Sequence, residues 1–260
     1  MGNLEASSNR GSPAGRATSL DEAAYSLRGD AEGGLQALQW RLAKLSPWYA
    51  HFLRPWLPVE RASPMLDVPS GAGNLLYALH SLGYTAVRGV DGDAGQVTLA
   101  RQLGLSAEVG DAFEAVERAA TGQFARIFSL DFLEHVSPED AVRFCRAARA
   151  ALAPGGILLC RTPSADGPFG SHDRYNDVTH RWAMTAGSAV QLLSLAGFKP
   201  SEVVVVGEPP VPYNLVNRVR LGMYQLTTAA LGGWLHVCGI GRPVIWTRSM
   251  WIVASVGQHP

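Results

Sequence analysis

Lysine is nearly absent from this chain. Lys44 and Lys199 are the only two, so the basic charge is almost all arginine, a bias that a GC-rich genome explains as readily as any function. Net charge is absent too: 22 basic side chains face 22 acidic ones. Without a basic excess there is no electrostatic footprint for a long polyanion, and no long nucleic acid is expected as the main partner. Cysteines are few, odd in number and far apart (Cys145, Cys160, Cys238). That excludes a disulfide framework and any cysteine metal motif, and predicts free, mostly buried thiols in a reducing compartment. The first residues lack the apolar core of a secretory signal, and Ala6 breaks a Met-Gly lipidation pattern, so a cytoplasmic protein is expected.

What is present is globular composition, 47% hydrophobic and 17% charged over 260 residues. That is enough for one sizeable domain and too little for two comfortable ones. Residues 1–33 are rich in Ser, Gly, Ala and Arg without hydrophobic periodicity and are expected to form a disordered tail. In 34–60 apolar residues return at helical spacing (Leu35, Leu38, Leu42, Leu45, then Trp48, Tyr49, Phe52, Leu53). Ser46-Pro47 between them has the form of an N-cap followed by proline at the first helical position, which predicts two helices. After Pro64 the pattern alternates. Strand-like runs at 65–68, 86–90, 107–109, 126–130, 157–161, 203–206 and 250–256 are separated by helical stretches at 75–82, 95–103, 112–119, 138–152 and 187–196. Such alternation predicts an α/β domain over 61–257, a mostly parallel sheet with helices on both faces. Ligands in such sheets sit at the carboxyl ends of the strands.

The run Asp67-Val68-Pro69-Ser70-Gly71-Ala72-Gly73-Asn74 carries a strand into a Gly-x-Gly turn and a helix. A side chain at those glycines would keep the backbone from a ligand at the helix N-terminus. A dinucleotide fingerprint needs Gly or Ala three residues past the second glycine; Leu76 stands there, which disfavours a nicotinamide-dependent oxidoreductase. No Gly-x-x-x-x-Gly-Lys run exists, which excludes a P-loop. With an acidic residue followed by spaced glycines after the first strand, this turn resembles the S-adenosylmethionine (SAM) motif of class I methyltransferases, with Pro69 where that family usually has its first glycine. Proline stiffens the turn, so an altered loop is expected rather than a lost site.

Three more motifs of the family follow in order. Gly89-Val90-Asp91 closes the second strand and matches the family's ribose-binding acid at Asp91. Asp93 next to it reads as the N-cap of the following helix. Gly110-Asp111-Ala112 matches the adenine-binding acid at Asp111, for which a helix cap is the alternative. Pro154-Gly155-Gly156 matches the turn before the fifth strand. The resemblance covers roughly residues 62–207. It implies a Rossmann-like fold with a seven-stranded sheet, SAM as cofactor, and Asp67, Gly71, Gly73, Asp91, Asp111 and Asp131 as cofactor-binding candidates. A non-catalytic binding protein on the same fold is the rival reading.

At the end of the fourth strand lies Asp131-Phe132-Leu133-Glu134-His135. A second polar cluster, His172 to Trp182, follows the fifth strand in a loop of about twenty residues, a length usually kept for function. Because the leaving group of methyl transfer is already activated, the enzyme's task is to align the acceptor and manage its proton. Histidine suits that task. His135, His180 and Asp131 are therefore the catalytic candidates, although a histidine in an α/β scaffold is as readily structural. Asp131-x-x-Glu134-His135 with His180 also resembles the metal-binding set of small-RNA 2′-O-methyltransferases, which implies a divalent metal on Glu134, His135 and His180. Many small-molecule methyltransferases carry the same Leu-Glu-His-Val run without metal. Arg174 to His180 resembles a pattern of bacterial methyltransferases of glycan assembly and implies a small-molecule or glycan hydroxyl as acceptor.

Residues 208–243 interrupt the rhythm before the last strand. Val219, Met223, Leu226, Ala230 and Trp234 recur at helical spacing, in a stretch too polar and too broken by glycine to span a bilayer. A lid helix is the expectation. Arg218 and Arg220 beside an apolar face with Trp234 also permit peripheral membrane contact.

Overall fold

The computed structural model describes residues 34–168, 170–239, 241 and 245–257. The expected tail at 1–33 lies outside the described residues, as do 240 and 242–244 of the insertion. The elements are α1 (Gly34–Leu53), β1 (Met65–Asp67), α2 (Asn74–Ser81), β2 (Val87–Asp91), α3 (Ala94–Gln102), β3 (Ala107–Val109), α4 (Ala112–Glu117), β4 (Phe124–Leu130), α5 (Pro138–Ala151), β5 (Leu152–Pro163), α6 (Gly170–Tyr175), α7 (Ala186–Leu195), β6 (Val203–Gly207), α8 (Leu215–Val237) and β7 (Ser249–Ser255). The strands form one sheet in the order β3-β2-β1-β4-β5-β7-β6. All pairings are parallel except those of β7, which runs antiparallel to both β5 and β6. The expected mostly parallel seven-stranded α/β sheet is observed. Strand order reverses between β1 and β4, so the carboxyl ends of these two strands open the crevice where a ligand fits.

Side chains of a strand alternate between faces, and the core divides accordingly. Leu66, Ile127, Leu158 and Ile252 point to one side and pack with Phe144, Ala148 and Leu192 from α5 and α7. Their neighbours Met65, Phe128, Leu159 and Trp251 point to the other, against Leu53, Leu75 and Leu79 from α1 and α2. Helix starts are set by side chains. Asp93, Asp111 and Ser137 cap α3, α4 and α5, and Thr185 with Ser188 forms a capping box on α7.

Two expectations need correction. The two N-terminal helices are one, α1, with Pro47 inside it. The Ser46 hydroxyl does not cap a new helix but donates to the Leu42 carbonyl one turn back (2.8 Å). The apolar face continues through the proline, with Leu38, Leu42 and Leu53 all buried, so packing overrides the local break. The Pro154-Gly155-Gly156 turn is drawn into β5, as an irregular first stretch where the register against Phe124 and Arg126 shifts and Gly155 takes φ +73°. The long loop after β5 holds the short helix α6, which its polar sequence did not announce. No helix among the described residues is long and apolar enough to cross a membrane.

Candidate active site

The glycine turn sits between β1 and α2. Gly71 and Gly73 take φ of +52° and +87°, left-handed values that favour glycine. A Cβ on Gly73 would lie 2.6 Å from Leu105 and 3.3 Å from Ala100, so this glycine lets the turn pack on α3. Beside Gly71 the space is open. The Val68–Pro69 peptide bond is cis. Asp91, at the end of β2, ties the turn down: Oδ2 accepts from the Gly71 amide (2.7 Å) and Oδ1 from the Asp93 amide (2.9 Å).

A cavity of about 250 Å³ opens over this turn, lined by Asp67, Gly71, Asp91 and Asp131 of the expected residues, with Tyr49, Asn74 and Gln96. Its walls are short of partners. Asp67 Oδ2, Ser70 Oγ, Asn74 Oδ1 and Gln96 Oε1 are buried without a hydrogen bond. Native proteins keep few such atoms, and a cluster of them around one cavity fits a ligand that brings its own donors. Burial raises the Asp67 carboxyl well above the usual range, and the nearby Asp91 charge adds to that. Burial likewise raises Asp91, against the lowering effect of the two amides it binds. A ligand with an ammonium group and hydroxyls, as SAM has, would meet these needs.

Gly73 and Asp111 are not in the cavity lining. Asp111 Oδ1 caps α4, accepting from the amides of Phe113 (2.9 Å) and Glu114 (3.0 Å).

A second, larger cavity of about 1250 Å³ adjoins the first, and Asp131 lines both. Asp131 is the one non-glycine residue with positive φ (+51°) among those described. Such a conformation costs energy in a residue with a side chain and is held by its surroundings. Its amide donates to the Arg161 carbonyl (2.8 Å), and its carboxylate takes Arg161 Nη1 on both oxygens (2.6 and 2.7 Å). Arg161 also clasps Glu208 through Nε (2.5 Å) and Nη2 (3.1 Å). Burial would lower the guanidinium, but Asp131 and Glu208 outweigh it and raise it above its ordinary value.

Glu134, His135 and His180 line the larger cavity. One ligand-capable atom from each lies within 4.8 Å of the others, and the two imidazole rings meet edge to face with centroids 4.9 Å apart. The loops after β4 and β5 thus converge, as expected from their place at neighbouring strand ends. Backbone bonds fix the convergence: the Arg181 amide donates to the Glu134 carbonyl (2.8 Å) and the Trp182 indole to the Leu133 carbonyl (2.8 Å). The Thr179 hydroxyl donates to Asp177 Oδ1 (2.6 Å), so it accepts from His135 Nδ1 (2.8 Å). His180 Nδ1 lies 2.9 Å from the Asp173 carbonyl, which can only accept. In the neutral form of either ring, these partners place the proton on Nδ1 and the lone pair on Nε2. Glu134 is buried and accepts from Thr162 Oγ1 (3.1 Å); burial, then the Asp131 charge, pushes its carboxyl up to about 8.

Comparison with known proteins fits this geometry. Residues 65–156, which hold the glycine turn, Asp91, Asp111, Asp131 and the Glu134-His135 pair, match a family described as "Methyltransferase domain". Over that stretch, about a third of its length, the chain is similar to methyltransferase domains. A ubiquinone biosynthesis O-methyltransferase of Dinoroseobacter shibae is 28% identical over 157 residues, a match that covers 52% of this chain and 60% of that protein. A SAM-dependent methyltransferase of Archaeoglobus fulgidus superposes with a TM-score of 0.60 at 16% identity, over 89% of this chain and 99% of that one. Phosphoethanolamine N-methyltransferase 2 of Haemonchus contortus, solved with SAM, gives 0.57 at 18% identity, over 82% of this chain and 53% of that one. At such identities the structural likeness establishes the fold.

The sequence reading missed part of the site. Tyr49 reaches the smaller cavity from α1, where it read only as a member of an apolar helical face. Burial, then Asp131, raises its phenol above its ordinary value. Arg161 lies near the end of β5, where an apolar run masks a lone charge, and its two carboxylate partners are 30 and 47 residues away. Asn74 and Gln96 sit on helices beside recognised motifs; their closeness to Asp91 could have drawn notice.

Proposed function

We propose that this methyltransferase transfers the SAM methyl to a hydroxyl of a small-molecule or glycan acceptor held in the larger cavity. The observation that carries the reading is Asp131, shared by the two cavities, with His135 and His180 on the acceptor side. SAM supplies a methyl group on a sulfonium that leaves as a neutral thioether. Asp67 suits its ammonium group and Asp91 its ribose hydroxyls, while Gly71 keeps the turn open beside them. Asp111 is the candidate for the adenine amino group, through whatever of its carboxylate the α4 cap leaves available.

On the acceptor side, the residues must hold the hydroxyl in line and remove its proton as the new carbon–oxygen bond forms. The Nε2 lone pair of His135 or His180 can take that proton, with Thr179 and Asp177, or the Asp173 carbonyl, fixing the tautomer. Asp131, pinned by Arg161, holds the junction in shape. The distant likeness to a protein named as an O-methyltransferase supports oxygen as the methylated atom.

A second reading has an observation of its own. Glu134, His135 and His180 form a compact carboxylate–imidazole set with hard and borderline ligands on one side of a cavity. A divalent ion there would supply charge that lowers the acceptor hydroxyl's pKa. Activity that EDTA abolishes and Mg²⁺, Mn²⁺ or Zn²⁺ restores would favour the metal reading; activity indifferent to EDTA favours a histidine base.

The deciding experiment incubates the protein with methyl-labelled SAM and extract of its source cells, then identifies the labelled molecule. Label on an oxygen of a small molecule or glycan is the expected result. Label on nitrogen or carbon would overturn the acceptor assignment, and SAM binding without any labelling would favour the non-catalytic rival.

A further inference from the structure

Helix α8 lies in the insertion between β6 and β7 and turns two different sides to its surroundings. Its inner side carries Leu221, Tyr224, Thr228 and the buried Gly232, and Tyr224 reaches the wall of the larger cavity. Its outer side is apolar and bare. Val219, Met223, Leu226, Trp234 and Val237 are 55 to 84% exposed, and at the helical period all five fall on one stripe. A helix of 23 residues is about 34 Å long, so this is a ridge and not a scattered set of surface apolar residues.

Charge says what covers the ridge. All 22 acidic residues of the chain lie at or before Glu208; beyond it come four arginines (Arg218, Arg220, Arg242, Arg248) and no acid. Arg218 and Arg220 leave α8 on opposite flanks of the apolar stripe, and both are exposed. Arg248 is paired with Asp173, whereas Arg218 and Arg220 lie on α8, so in a chain that is neutral as a whole this helix carries two cations and no acid. An aromatic and aliphatic ridge with cations along both edges and no acid on its own helix is complementary to a plane of acyl chains under anionic headgroups. A second protein surface would need a matching groove with acids on both rims.

We propose that α8 lies flat on an anionic lipid surface, with Val219, Met223, Leu226 and Trp234 in the acyl boundary and Arg218 and Arg220 among the headgroups. Tyr224 on the opposite side then places the larger cavity next to the bilayer. Docking does not depend on the methyl-transfer reading; only the corollary, an amphiphilic acceptor drawn from that surface, rests on it.

The test is co-sedimentation of the full-length protein with vesicles, with no turnover required. One set is phosphatidylcholine alone and the other contains phosphatidylglycerol. Binding to the anionic set, weakened by salt, is expected. Met223→Ser/Leu226→Ser/Trp234→Ser should abolish it. Arg218→Gln/Arg220→Gln should weaken it about fivefold per arginine removed. These side chains are exposed, so both variants should keep the wild-type melting curve and SAM affinity; a loss of SAM binding would count against the cofactor assignment and leave the vesicle result readable. No binding to either vesicle, or binding that the triple variant keeps, overturns the proposal. So does a dimer in light scattering that the same triple variant dissolves, because the ridge would then belong to a second copy.

Discussion

Asp67 and Asp91 are held as neighbours at the ends of β1 and β2, and burial raises both carboxyls. A folded-state pKa above the unfolded one means that the folded chain binds the proton more tightly. The resulting stability is present below the ordinary carboxylate value and is lost as pH rises through the raised one. At neutral pH, above the ordinary carboxylate value, the raised Asp67 therefore costs stability to the ligand-free protein. Asp67→Asn should raise the melting temperature at pH 7, by about 2–4 °C for each kcal/mol relieved, and the gain should vanish on acidification below about pH 4. The same variant should bind SAM more weakly. A gain that does not change with pH would show that Asp67 is not the cause. Asp91→Ala should weaken SAM binding by about 1–3 kcal/mol, the loss expected for a charged hydrogen-bond partner, and calorimetry reads it directly. For His135→Asn, the proposed base role predicts unchanged SAM affinity and a kcat lower by roughly 10²–10⁴. A kcat within a few-fold of wild type would pass the role to His180. These carboxylates and histidines were legible in the sequence because strand-end motifs have fixed spacing. Arg161 and Tyr49 were not, since what makes them part of the site is a fold-dependent meeting with Asp131.

Elements differ in how far their sequence speaks for itself. The caps on α3, α4 and α5 act locally, through a side chain two or three residues from the amide whose hydrogen bond it accepts, and Asp93 read directly. Helix α1 is the opposite case. Its proline argued for a break, but Leu38 and Leu42 pack on Ala72 of the glycine turn and so hold the helix across the cavity that Tyr49 enters. Only the tertiary contact decides that. The insertion was legible as an amphipathic helix, whereas the direction of its apolar face was not, because periodicity gives a stripe and not its orientation. Since the insertion supplies Glu208, Pro210 and Tyr224 to the larger cavity and nothing to the smaller one, its removal should separate the two functions. Replacing residues 211–233 with a short Gly-Ser linker is expected to leave SAM affinity nearly unchanged while abolishing transfer. A folded variant that no longer binds SAM would contradict this, as would one that still methylates the native acceptor.

At the scale of the whole molecule, the proposed division of labour is a matter of topology. The reversal of strand order between β1 and β4 puts the glycine turn, Asp91 and Asp131 on one rim, and β5 with its long loop brings His180 to the same rim from the other side. The alternating pattern of strands and helices made this sheet readable; the antiparallel β7 was not marked by its own residues, since an apolar run looks alike in either direction. A ligand that binds only the folded chain stabilises all of it, by about 2.7 kcal/mol at a hundred times its Kd. At about 2–4 °C per kcal/mol for a domain of this size, SAM at that concentration should raise the melting temperature by roughly 5–11 °C. NADH at the same concentration should not, because Leu76 fills the position a dinucleotide turn keeps small. The shift should shrink in Asp91→Ala and persist in His135→Asn, since the first variant is placed in the smaller cavity and the second in the larger. Equal shifts in all three proteins would mean that SAM is held elsewhere. No shift in the wild-type chain would mean that the unpartnered oxygens around the glycine turn are waiting for a different ligand.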